Sequence, residues 1–130
     1  MQVLANLKYS STDEWVKMDG NVATIGITDY AQSQLSDIVY VEIKVSEGEK
    51  IEKNSPLATL ESVKAAADVN APIGGKVVAA NDGLGQTPEM VNSDPFGAAW
   101  MVKLEISNPA ELDSLMDAAA YEKYCEGRGH

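Results

Sequence analysis

Apolar residues along this chain fall in short alternating runs. Val39, Val41, Ile43 and Val45 alternate with Tyr40, Glu42 and Lys44, the period of a half-buried strand. Residues 21–27 are apolar and β-branched, and the Asp19-Gly20-Asn21 turn at their start predicts a hairpin with residues 14–18. Further strands are expected over 51–60, 69–73, 76–80 and 100–106, punctuated by Pro56, Pro72 and Gly74-Gly75. Asn81-Asp82-Gly83 reads as a turn. Helices are expected in three places. Thr28-Asp29 caps a segment over 30–35, Asn108-Pro109 opens a helix with proline at its first position, and residues 118–125 form another. Leu112, Leu115 and Met116 recur at helical spacing, so the chain should end in one or two helices. The pattern predicts a mostly β fold, a small sandwich or barrel of short strands with peripheral helices. Residues 57–69 are the ambiguous stretch: Leu, Glu, Lys and Ala without a glycine favour a helix by propensity alone.

Composition narrows the function classes. A chain of 130 residues suits one domain, 1–130, with a core of its own. Acids outnumber bases 20 to 10, and the formal charge of −10 repels phosphate backbones and anionic membranes, so neither nucleic acid nor membrane is an expected partner. One cysteine, Cys125, supports no internal disulfide and reads as an incidental thiol. The single histidine, His130, is terminal, which argues against a triad, a zinc centre or histidine acid–base chemistry. No run of 18 apolar residues occurs. Gly83-Leu84-Gly85 lacks what a phosphate loop requires. Trp15, Tyr40, Phe96 and Trp100 are expected at the core or its rim.

The candidate chemistry lies in Glu61-Ser62-Val63-Lys64-Ala65-Ala66-Ala67-Asp68. Lys64 has small apolar neighbours, with acids only three residues before and four after. Glu-Ser-Val-Lys-Ala-Ala closely resembles the lipoylation motif of glycine cleavage H proteins. Further blocks resemble that family in the same order: Asp13-Glu14-Trp15-Val16, residues 22–32, Asp37-Ile38-Val39-Tyr40-Val41-Glu42, Val91-Asn92-Ser93-Asp94-Pro95-Phe96-Gly97 and Asn108-Pro109-Ala110-Glu111-Leu112. Together they span about residues 8–124. Val63 and Ala65 speak against a biotin carrier, whose lysine is typically flanked by methionines. The blocks at 13–16 and 22–32 speak against a lipoyl domain of another multienzyme complex.

The resemblance implies a lipoyl/biotinyl-domain-like barrel-sandwich hybrid in which 57–69 is a hairpin with Lys64 at its tip. It implies a non-catalytic carrier bearing lipoate on Lys64, an arm with a reach of about 10 Å. Such a carrier takes an aminomethyl group from a pyridoxal-phosphate glycine decarboxylase to a tetrahydrofolate-dependent aminomethyltransferase. A dihydrolipoamide dehydrogenase using FAD and NAD then reoxidises it. A lipoyl ligase or lipoyltransferase loads the arm, and Glu61 and Gly75 match positions the family uses in ligase recognition. Thr12, Glu14, Gln34, Leu35 and Asp68 match positions lining the cleft that shelters the loaded arm. Two residues depart from the family pattern: Asp13 and Gln34 stand where histidine occurs. A role as lipoyl donor to other proteins is an alternative. The resemblance also implies a monomer, placed in the mitochondrial matrix as a mature form or, alternatively, in bacterial cytoplasm.

Overall fold

The computed structural model describes residues 2–128, so His130 lies outside the described residues. Among the described residues, nine strands form two antiparallel sheets. β1 (Lys8–Tyr9), β2 (Glu14–Asp19), β3 (Val22–Ile27), β5 (Lys50–Ile51), β8 (Gly75–Ala80) and β9 (Val102–Ile106) make a six-stranded sheet in the order β1-β2-β3-β9-β8-β5. β4 (Ile38–Ile43), β6 (Pro56–Ser62) and β7 (Ala66–Asn70) make the second. The inner faces of both sheets supply the main core, including Ile25, Val41, Leu57, Leu60, Val69, Val77, Val102 and Leu104. A mostly β fold with peripheral helices was legible in the alternation.

The hairpin at Gly20-Asn21 forms as its turn residues predict, with Asp19 opposite Val22. Thr28 caps α1 (Asp29–Leu35), its hydroxyl accepting from the Ala31 N–H at 3.1 Å. α1 ends at Ser36, whose φ of 69° and ψ of −152° lie in a region that strains a residue with a side chain. Asn92 holds this bend. Its side-chain oxygen accepts from the Ile38 N–H, and its amide donates to the Ser36 carbonyl and to Gln32 Oε1. Asn92 sits on the short helix α2 (Met90–Ser93), so the block at residues 91–97 buttresses the junction of α1 and β4.

Several local readings are corrected by tertiary contacts. Residues 57–69 do not form a helix. Leu57, Leu60 and Val69 bury against the opposite sheet only if the segment is extended, and that burial outweighs helix propensity. The expected strand over 51–60 breaks between Ile51 and Pro56. A turn there, closed by Ser55 N–H to the Glu52 carbonyl at 3.0 Å, passes the chain from one sheet to the other. The strand expected at 69–73 instead runs through Ala66–Asn70. In β4 the register shifts between Ile38 and Tyr40, so Val39 faces solvent at 55% exposure instead of joining the alternation. Asn81-Asp82-Gly83 continues into a 3-10 helix, Asp82–Gln86. The helix opened by Pro109 is also 3-10 and stops at Ser114. Met116 beyond it instead pairs with Tyr9 through two backbone hydrogen bonds of 2.8 Å.

A second, aromatic core lies on the outer side of β1 and β2. Leu7, Tyr9, Trp15, Tyr30, Tyr121 and Cys125 pack here, with the Tyr9 and Tyr121 rings stacked at 4.6 Å. α3 (Ala118–Glu126), capped by Asp117, contributes Tyr121 and Cys125. Trp15 is buried and donates to the Pro95 carbonyl at 3.0 Å, while Phe96 and Trp100 lie half-buried at the rim and Tyr40 is 43% exposed.

Candidate functional site

Lys64 stands at the tip of the β6–β7 hairpin, exposed together with Val63 and Ala65. Ser62 organises the turn. Its hydroxyl oxygen accepts from the Lys64 N–H at 3.2 Å and the Ala65 N–H at 3.0 Å, and its own hydrogen is donated to the Ala65 carbonyl at 3.1 Å. The Ser62 N–H closes the same turn onto the Ala65 carbonyl at 2.7 Å. Val63 N–H donates to the Asp37 carbonyl at 3.1 Å, tying the tip to the start of β4. A serine satisfying successive backbone donors is a side-chain substitute for backbone turn bonds. The lysine amine is thus held out on an ordered turn.

Beside the hairpin a cleft of about 300 Å³ opens between β2, α1, β6 and β7. Its lining brings together Thr12, Glu14, Gln34, Leu35 and Asp68, from three stretches that the sequence separates. Ile27, Leu60 and Val69 add an apolar floor. Glu14 is not a solvated loop acid: it opens β2 and is 1% exposed. One of its oxygens accepts from the hydroxyls of Ser10 (2.6 Å) and Thr12 (2.5 Å), the other from the Asn70 N–H at 3.1 Å. Burial pushes this carboxyl above its ordinary 4.5, and the Asp13 charge adds to the rise, while the three donors pull it back. Asp68 remains exposed on β7, its carboxylate accepting from Thr59 Oγ1 across the hairpin at 3.3 Å.

The two residues matched to ligase recognition occupy different environments. Glu61 is exposed on β6, opposite Tyr40 and Ala66 and one residue before Ser62. Gly75 is buried beyond the open end of the same hairpin, pairing with Ile51 and Ile106. A side-chain carbon there would collide with the Glu105 carbonyl, so the close passage of β8 over β9 demands glycine.

The chain belongs to the glycine cleavage H-protein family. The family model matches residues 7–128. A mitochondrial glycine cleavage system H protein of Oryza sativa subsp. indica is 52% identical over 124 residues, covering 95% of this chain and 75% of that one. The H protein of Carboxydothermus hydrogenoformans is 49% identical over 124 residues and 95% of each chain. A crystal structure of the H protein of Mycobacterium marinum superposes with a TM-score of 0.80 over 98% of this chain and 100% of that chain, at 24% identity, and so shares its fold.

Three features of this site escaped sequence reasoning. Ser10, a donor to Glu14, is an ordinary loop serine by pattern. Ser62 was visible within the motif, but its hydrogen bonds were not. Arg128 lines the cleft from beyond the last predicted helix, and nothing local in the sequence signals it.

Proposed function

We propose that this H-family chain is the lipoyl-bearing carrier of the glycine cleavage system, one domain over residues 1–130 with lipoate in amide linkage to Lys64. The observation that carries this reading is the exposed Lys64 on a turn that Ser62 orders without using the amine. Small neighbours let a modifying enzyme close around the lysine, and Glu61 lies just below it for direct contact. Gly75 supports recognition indirectly, by fixing the sheet that carries the hairpin. The dithiolane of a lipoyl arm accepts an aminomethyl group together with an electron pair.

The cleft residues fit that cargo. Ile27, Leu35, Leu60 and Val69 suit the methylene chain and sulfur atoms, and the Glu14 and Asp68 carboxylates suit a primary ammonium through charge-assisted hydrogen bonds. Enclosure there excludes the water that would hydrolyse the cargo. The partners of this reading are the pyridoxal-phosphate glycine decarboxylase, the tetrahydrofolate-dependent aminomethyltransferase, the FAD- and NAD-dependent dihydrolipoamide dehydrogenase and a lipoyl ligase. The compartment is the mitochondrial matrix, in line with the Oryza relative, or bacterial cytoplasm, in line with the Carboxydothermus one.

Intact-mass measurement after expression with lipoate tests the assignment. One lipoyl group is expected on the wild-type chain and none on Lys64→Arg, which should also be inactive in a reconstituted glycine cleavage assay. Lipoylation of Lys64→Arg would refute it.

A further inference from the structure

Asp13, one of the two departures from the family pattern, is fully engaged. Arg128, just past α3, directs Nη1 and Nη2 at the two carboxylate oxygens of Asp13, the second bond being 2.9 Å long. Tyr121 adds a third donor to Asp13 at 2.9 Å, and its phenol lies 2.7 Å from the Thr28 hydroxyl that caps α1. The guanidinium stacks between two rings, 4.5 Å from the centroid of Tyr30 and 4.8 Å from that of Tyr124. The Asp13 backbone is held as well: its N–H donates to the Ser10 carbonyl, and its carbonyl accepts from the Thr28 N–H at 3.0 Å.

This assembly forms part of the cleft wall, since Asp13, Tyr30 and Arg128 line it beside Glu14 and Asp68. Three carboxylates therefore face one space, and among the described residues only Asp13 has a cationic partner. The Asp13 and Glu14 carboxylates each accept three hydrogen bonds, and what sets Asp13 apart is the fixed positive charge of Arg128 beside it. Glu14 and Asp68 carry no such partner.

We propose that Arg128 is a positioning residue of the arm cleft. By locking Asp13 between its guanidinium and Tyr121, it withholds that carboxylate, so that a docked ammonium goes to Glu14 and Asp68. The inference rests on the carrier reading above. Without Arg128, Asp13 becomes a competing anion that draws the ammonium away from Glu14, the carboxylate enclosed at 1% exposure. A bidentate fork between two rings is a geometry that lysine does not reproduce.

Methylammonium chloride, titrated into the unlipoylated chain and followed through the carboxyl carbon shifts of Asp13, Glu14 and Asp68, provides a readout independent of carrier activity. In the wild type, Glu14 and Asp68 should respond and Asp13 should not. In Arg128→Ala the Asp13 response should dominate, and in Arg128→Ala combined with Asp13→Asn the response should return to Glu14 and Asp68. The aminomethyl-loaded arm gives the second readout, because its hydrolysis consumes one water and releases formaldehyde and ammonium with the thiol restored. Its decay should be about threefold faster in Arg128→Ala, the scale of one half-exposed ion pair, and slower again in the double variant. A loss of packing alone would leave the double variant no better than the single one, and that result overturns the proposal. So does an Asp13 response in the wild type equal to that of Glu14. A wild type in which none of the three carboxyls responds, and whose loaded arm decays as fast as loaded free lipoamide, defeats the cleft reading itself.

Discussion

Glu14 shows how one residue is tuned by its surroundings. Its three hydrogen-bond donors stabilise the anion, and burial opposes them. Because the folded-state value lies above the ordinary 4.5, the native chain holds this proton to higher pH than the unfolded chain does. The Glu14 contribution to stability therefore falls as pH rises from 4.5 through the folded value. Ammonium capture runs the other way and is lost as pH falls through that raised value. Glu14→Gln can remake all three bonds, with its oxygen toward Asn70 and its amide toward the two hydroxyls. It should melt no lower than the wild type at neutral pH and should lose the acid-range slope in thermal melts. Methylammonium should no longer perturb its neighbours. A wild-type slope in the variant would place the titrating group elsewhere. Glu14 was nominated by the resemblance, but its burial was not legible: a glutamate opening a strand looks solvent-facing until Ser10 and Asn70 close over it.

The hairpin of β6 and β7 is where local and global preferences disagree. Propensity favours a helix over 57–69, whereas the inner face of the sheet needs Leu57, Leu60 and Val69 extended. Sequence pattern alone could not decide between them, because the deciding contacts come from strands remote in sequence. The resemblance supplied the hairpin, and the structure supplies its cause in Ser62. Removing that hydroxyl leaves three turn bonds at an exposed site to be replaced by water, a net cost of about 1 kcal/mol in all. Ser62→Ala should therefore change melting little while loosening the tip. Faster exchange of the Lys64 and Ala65 amides and a severalfold lower rate of enzymatic lipoylation are expected. Ser62→Thr, which keeps the hydroxyl, should recover most of that rate. Equal lipoylation rates for Ala and wild type would show that the ligase supplies the turn geometry itself. The strand breaks at Ile51 and Pro56 were also illegible, since a sheet-to-sheet crossover and a continuous strand present similar apolar runs.

Across the whole molecule, the two sheets meet around one core, and the aromatic cluster seals β1, α1 and α3 against the outer face. Strand order was beyond the alternation pattern, which carries period but not pairing. Gly75 links the two levels. It belongs to the ligase-recognition positions by resemblance, but it sits where β8 passes closest to β9. Gly75→Ala must push apart two paired strands of the six-stranded sheet, so it should destabilise the chain by about 2–3 kcal/mol in urea unfolding. At temperatures where it remains folded, the variant should accept lipoate at a near-normal rate. Full stability together with abolished lipoylation would make Gly75 a direct contact of the ligase.

Among the described residues, the Lys64 amine takes part in no hydrogen bond or ion pair, and the Ser62 turn closes entirely through backbone groups and one hydroxyl. Acylation there would therefore erase a positive charge on which no other described group depends. On the proposed reading the apex would keep its shape on loading, so that each enzyme visiting the arm would meet an unchanged landmark.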